Sequence, residues 1–401
     1  MKKKGIALLL MSILLGSSIA GCGSKASSST VGSSSGEGEA FAGTIKVGAL
    51  DPTTGDNAQL GTDDLNGKTM AVDDFNDAGG ATIDGKKYKI ELVSYDDASQ
   101  ASQSVQAATK LITQDKVVAI AGSFTSSCTL ADLDVLNEYK IPMVTSGSSA
   151  DTVLTSGCNW ISRSFSGDKL QISALLNYIE DSGTKVSKIG VIYENDDYGI
   201  GGFNGVQEAA AKKNIDVVGE AFGVDDTDMT AQLASLRDQG VDALFIWANY
   251  TPGSYVMKQA RALNWDVQFY SGTGTIHPNT FELSDNTYVG TINSVPFTTT
   301  TTDEDTQKWI KRYSEKYNAE PSQNVARGYD GMMVILDAIN TAGSTDSEEI
   351  QNAIRNTKDH KGVQGTFSIN PDSGEYEGEV QIVQAADCGT WKYLSSASTT
   401  E

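Results

Sequence analysis

Two short stretches hold the residues best suited to chemistry. The first is Ala119–Leu130, AIAGSFTSSCTL, in which an apolar run ends at Gly122 and hydroxyls follow at Ser123, Thr125, Ser126, Ser127 and Thr129. The second, Pro142–Ser149, reads PMVTSGSS and repeats the theme. An apolar strand, a hydroxyl-rich turn and then the pattern LADLDVLNEY from Leu130 read as strand, turn and helix start. Such a turn presents free backbone N–H groups together with hydroxyls, and these suit a small anion such as a carboxylate. The competing reading is that Ser and Thr merely cap a helix.

Enzyme chemistry finds little support. His277 lies in a loop and His360 in the charged run Lys358–Lys361, and neither has a metal-ligand partner at helical or hairpin spacing. No Ser/His/Asp set emerges. Gly32–Gly36, GSSSG, formally matches a nucleophile elbow but lacks a strand before it and a helix after it. The glycine-rich Tyr198–Phe203 lacks the full dinucleotide fingerprint, and Glu194, Asp196 and Asp197 beside it would repel a pyrophosphate. No cofactor and no metal is expected. Cys128, Cys158 and Cys388 include no C-x-x-C pair; a Cys128–Cys158 disulfide is conceivable because both flank the hydroxyl loops.

The elements that must carry these loops alternate regularly. Strands are expected at 44–50, 87–94, 117–121 and 143–144, with helices ending at Gly79-Gly80 and spanning 102–114 and 130–139. The rhythm then restarts. Strands at 188–193, 215–221, 243–248, 268–271 and 288–295 alternate with helices at 198–213, 229–239 and 254–263. Helices at 303–317, 324–341 and 347–356 and a hairpin of 379–383 with 391–394 complete the chain. This predicts two α/β units with parallel sheets covered on both faces and joined by several crossings. Five polar loops fall at strand carboxyl ends: 51–60, 123–129, 145–149, 194–199 and 249–254. Ligands bind at such ends, so a cleft between the units is the expected site.

The 401 residues suffice for two domains. A net charge of −22 with no basic stripe argues against nucleic-acid binding. Lys2–Lys4 followed by the apolar Ile6–Leu15 read as an export signal, too short to span a bilayer. Ile19-Ala20-Gly21-Cys22 resembles the lipobox of bacterial lipoproteins, which implies cleavage before Cys22 and its acylation as a lipid anchor. The Ser/Gly-rich run to Gly43 is expected to be a tether reaching on the order of 25 Å. The expected location is extracytoplasmic, anchored to the cell membrane.

From Thr44 to about Leu394 the chain resembles the type I periplasmic binding proteins of the branched-chain (hydrophobic) amino-acid ABC transport family. The resemblance is carried by IKVGAL, AVDDFNDAGG, IELVSYDDASQ, AIAGSFTSSCT, IPMVTSGSS, IGVIYENDDYGIG and ARGYDGMMVILDAI in that order. It implies two Rossmann-like lobes joined by a multi-crossing hinge, with lobe one at 44–163 plus 297–370 and lobe two at 164–296 plus 371–395. It also implies a monomer that passes an amino-acid-like ligand to ABC permease subunits; a sensor of the same fold serving a signalling receptor is the alternative. By the same resemblance Ser126 and Ser149 would hold the ligand α-carboxylate, and the Gly147 carbonyl its ammonium. Tyr198 and Tyr250 would line the second lobe.

One position departs from the family. Where members for α-amino acids often carry an acid, this chain has Thr273, which cannot balance an ammonium. Either another acid does so, with Asp51, Glu194, Asp196, Asp197 and Asp330 as candidates, or the ligand lacks an α-amine. Leu60 stands where the family often has an aromatic, and Trp247 could line the pocket or fill the core. If the Ser126 hydroxyl bonds a carboxylate, Ser126→Ala should weaken ligand binding by about 1.5–3 kcal/mol in calorimetry, and wild-type affinity would refute the assignment.

Overall fold

A computed structural model describes residues 41–399. The expected signal segment, Cys22 and the tether up to Ala40 lie outside the described residues. The strands are β1 Gly43–Asp51, β2 Ala81–Ile83, β3 Lys86–Asp96, β4 Ile120–Ala121, β5 Met143–Thr145, β6 Ile161–Arg163, β7 Lys188–Glu194 and β8 Asp216–Phe222. They continue with β9 Ala243–Trp247, β10 Gln268–Ser271, β11 Ile292–Val295, β12 His360–Gly362, β13 Gly365–Ile369, β14 Tyr376–Glu377, β15 Glu379–Ala386 and β16 Thr390–Ser398. The helices are α1 Ala58–Asp77, α2 Ala101–Lys110, α3 Ser126–Tyr139, α4 Thr152–Thr155, α5 Asp168–Asp181 and α6 Asp197–Ala211. After them come α7 Thr230–Asp238, α8 Tyr250–Ala262, α9 Asn279–Leu283, α10 Glu304–Tyr317, α11 Gln323–Ala342 and α12 Ser347–Arg355.

The first sheet has the order β2-β3-β1-β4-β5-β6 and the second β16-β15-β11-β10-β9-β7-β8. Both are parallel except for hairpins at their edges: β2–β3 in the first, and β15–β16 beside β11 in the second. Successive residues of the central strands enter opposite cores. In the first sheet Val47, Ala121 and Val144 pack with Met332 and Ile335 of α11, while Leu50, Ile120 and Met143 pack with Leu111 and Leu136 on the other face. In the second, Leu244, Ile246 and Phe269 face one core and Phe245, Trp247 and Tyr270 the other. Burial on both faces explains why these strands read as continuous apolar runs.

The expected alternation of strands and helices is present, with local corrections. The helix after β4 starts at Ser126, not Leu130, because the hydroxyl run SSCT is its first turn. The strand expected from Tyr288 is confined to Ile292–Val295, since positive φ at Asp285, Asn286 and Gly290 keeps the preceding residues in turns. β6, α5 and the small sheet β12-β13-β14 are additional; Leu175, Leu176 and Ile179 at helical spacing are the signal for α5. Cys128 and Cys158 are both buried free thiols, so the conceivable disulfide is not formed. Cys158 Sγ lies 3.9 Å from the Leu133 carbonyl instead. Among the described residues no helix is long and apolar enough to cross a membrane, and no group of His, Cys, Asp and Glu could hold a metal ion.

Helix α11 is laid against α1 by two glycines. A Cβ on Gly67 would meet the Val325 carbonyl oxygen at 2.1 Å, and one on Gly328 would meet that of Asp64 at 2.2 Å. The helices therefore cross backbone to backbone. Beneath the crossing, Lys68 Nζ reaches Asp51 at 2.7 Å and Asp64 at 2.6 Å, all three fully buried. It also donates to the Ala121 carbonyl at 3.3 Å. Burial opposes the ammonium, but the two carboxylates more than offset it and raise the Lys68 pKa. Since both acids share one cation, burial keeps the Asp51 carboxyl well above its usual range. Gly328→Ala should lower stability by about 1–3 kcal/mol in urea unfolding, because backbone rather than a flexible side chain must give way.

Candidate ligand-binding site

The hydroxyl-rich loops line a cleft whose empty space, open to solvent, is about 450 Å³. It lies at strand carboxyl ends: Ser126 follows β4, Gly147 and Ser149 follow β5, Asp196 and Tyr198 follow β7, Asn249 follows β9, and Thr273 follows β10. Leu60, Phe124, Thr125, Gly274, Asn324 and Arg327 complete the lining. The first sheet and the second thus each supply one wall, and α11 supplies Asn324 and Arg327.

The hydroxyls divide by role. Ser123 and Ser104 both donate to buried Asp132, and Thr129 and Thr145 donate to the Ser123 carbonyl, so these hold the loop together. Thr125 precedes α3 in extended backbone and makes no capping bond, which leaves the first-turn N–H groups without a side-chain cap. Ser126 begins the helix; its Oγ accepts from Ser148 Oγ at 3.2 Å and lies 3.5 Å from the Ala150 amide. The Ser149 carbonyl accepts from the Asp168 N–H at 2.9 Å, tying the loop after β5 to α5. Gly147 allows this loop to close on Phe124, for a Cβ there would lie 2.4 Å from the Phe124 carbonyl oxygen.

Of the six predicted ligand residues, the cleft brings together Ser126, Gly147, Ser149, Tyr198 and Thr273. Tyr250 lines instead an adjoining space that shares Thr125, Asp196 and Asn249 with the cleft. Its ring packs with Leu60 and Phe124 and stacks on His277 at 4.5 Å. Thr273 is held at both backbone atoms: its N–H donates to Gln171 Oε1 at 2.9 Å and its carbonyl accepts from Gln323 Nε2 at 2.6 Å. Trp247 fills the core of the second sheet and does not line the cleft. His277 is structural, with Nδ1 accepting from the Asn279 N–H at 3.1 Å.

Most of the candidate counter-charges are engaged elsewhere. Asp51 belongs to the Lys68 cluster. Asp330 accepts from the Val363 and Gln364 amides, away from the cleft, and Asp197 is exposed on α6. Asp196 lines the cleft, but its Oδ1 caps α6 through the Gly199 N–H at 2.8 Å. Glu194 faces the adjoining space and accepts from the Asn249 N–H at 2.8 Å.

Arg327 is the residue the sequence reading passes over. It is 3% exposed, donates from Nε to the Ser146 carbonyl at 2.6 Å and from Nη2 to the Gly147 carbonyl at 3.2 Å, and lies 4.0 Å from the Phe165 ring centre. Burial lowers its pKa to about 10, which leaves it charged at neutral pH. A lone arginine in the otherwise uncharged helical start QNVARGY was the available signal.

Burial, the neighbouring Asp196 and, less strongly, Asp56 hold the Glu194 carboxyl up to about 8, against the opposing Asn249 N–H bond. Below the ordinary value of 4.5 folded and unfolded chains are protonated alike. Between there and about 8 the folded chain keeps a proton that the unfolded chain has released, so this group's contribution to stability falls as pH rises. In urea unfolding, Glu194→Gln should lose less stability between about pH 5 and about pH 8 than the unchanged protein.

Comparison with known proteins agrees with this geometry. The profile of the family described as periplasmic binding protein matches residues 44–390. An amino acid binding protein of Pseudomonas aeruginosa is 30% identical over 58% of this chain, which spans 61% of that protein's length. A leucine-, isoleucine-, valine-, threonine- and alanine-binding protein of the same organism is 27% identical over 78% of this chain and 83% of its own. Among solved structures, a leucine-binding protein of Thermotoga maritima superposes with a TM-score of 0.80 at 27% identity, covering 89% of this chain and 99% of that one. The fold of this chain matches that of the Thermotoga maritima leucine-binding protein, and the family binds solutes outside the cytoplasm without catalysing a reaction. This chain belongs to the periplasmic binding protein family.

Proposed function

We propose that the chain is a lipid-anchored solute-binding protein that captures a small amino-acid-like carboxylate between two lobes and delivers it to an ABC permease. The observation that carries this reading is the convergence on one cleft of Ser126 and Ser149 from one wall with Tyr198 and Thr273 from the other. The uncapped amides at the start of α3 and the two serine hydroxyls are suited to the carboxylate. Tyr198, Leu60 and Phe124, the last two packed against Tyr250, are suited to an apolar side chain. The relatives named for leucine, isoleucine, valine, threonine and alanine are consistent with a ligand of that size. Cys22 would carry the anchor, residues 22–43 the tether, and the protein would act as a monomer.

The lobes are taken as 44–163 with 297–370 and 164–296 with 371–395. A ligand touching both walls binds the closed form better than the open one and so draws the population towards it. The bond from Gln323 to the Thr273 carbonyl is consistent with closure, because it ties the second wall's loop to α11 of the other lobe.

A thermal-shift screen of the amino acids and their 2-oxo and 2-hydroxy analogues tests the reading. A ligand present at a hundred times its Kd should add about 2.7 kcal/mol of stability and raise Tm visibly. A flat profile across every small carboxylate would refute it.

A further inference from the structure

We infer that Arg327 makes the cleft select a carboxylate that carries no α-ammonium, such as a 2-oxo or 2-hydroxy acid of amino-acid size. This rests on the proposed solute-binding reading and narrows its ligand class. The carbonyl of Gly147, which would accept an ammonium, already accepts from Arg327 Nη2. An ammonium placed there would stand next to a second cation in a buried site, where like charges repel strongly. The guanidinium has no carboxylate partner among the described residues: its bonds go to two backbone carbonyls. Asp64, the carboxylate whose charge acts on it, is held by Lys68 and by the Ser146 hydroxyl. A buried cation hydrogen-bonded only to neutral groups favours an anion beside it.

The rest of the lining agrees. Three buried polar atoms on the cleft residues have no acceptor to donate to: Thr125 Oγ1, beside the Cys128 thiol, Tyr198 Oη, which the Gly274 backbone approaches, and Asn324 Nδ2. All three can donate, and a 2-oxo or 2-hydroxy group offers the acceptor they lack, whereas an ammonium offers none. The acids near the cleft each already hold a backbone amide. Asp196 caps α6, Glu194 is taken by the Asn249 amide, and position 273 is a threonine with both backbone atoms bonded.

The test is calorimetric titration of the full chain with matched pairs: leucine against 4-methyl-2-oxopentanoate, valine against 3-methyl-2-oxobutanoate, and phenylalanine against phenylpyruvate. The oxo acid of at least one pair should bind at least about tenfold more tightly than its amino acid. If the amino acid of every pair that binds is equal or tighter, the inference is overturned while the solute-binding reading stands. If no member of any pair binds, both fall. Arg327→Gln should cost the oxo acid at least about tenfold and Arg327→Lys should restore part of it. Because Arg327 also holds the loop after β5, the comparison in the unchanged protein decides should either variant fail to fold.

Discussion

The ammonium of Lys68, shared by Asp51 and Asp64, is the interaction on which the architecture of the cleft depends. It joins the end of β1, the middle of α1 and, through the Ala121 carbonyl, the end of β4. Asp64 passes the connection on, since it accepts from the Ser146 hydroxyl in the loop that carries Gly147 and Ser149. Removing one partner of such a buried cluster leaves an uncompensated charge, which is far costlier than the net worth of the pair. The close crossing of α1 and α11 is made at Gly67 and Gly328, the chain neighbours of Lys68 and Arg327. Packing and electrostatics thus determine the same few ångströms of geometry.

The two walls contribute differently. The first offers groups held in place by their own loop: the start of α3, Ser149, and the Gly147 carbonyl under its guanidinium. The second offers Tyr198, Asn249 and Thr273, reached from the ends of β7, β9 and β10. On the proposed reading one wall would fix the acid end of a ligand and the other would discriminate its remainder, with α11 lining the cleft through Asn324 and Arg327.

Much of this was legible in the chain. Strands buried on both faces are apolar throughout, so their positions and order could be read without three-dimensional information, and the polar loops at their ends followed. Ser126, Gly147, Ser149, Tyr198 and Thr273 were reached through resemblance in motif order, and they line one space. What escaped depended on long-range contact. That Tyr250 lines the adjoining space while its ring rests on His277 and Phe124 is set by such contacts. Asp51 looks like a free carboxylate until Lys68 is found seventeen residues later in the same buried volume. Arg327 lies in a helix whose partners, Ser146 and Gly147, are about 180 residues away. No local pattern distinguishes such an arginine from a solvated one.

The buried thiols have a consequence for where the chain can work. Cys128 is pushed up to about 12 by its surroundings, so it carries almost no thiolate at neutral pH, and Cys158 is shifted in the same direction. Neither is cross-linked, and both lie inside the hydrophobic core of the first sheet or beside it. The first sheet therefore owes nothing to an oxidant for its assembly and offers little to one afterwards. The wall that carries Ser126 is held together by packing and hydrogen bonds, with no cross-link between these two thiols.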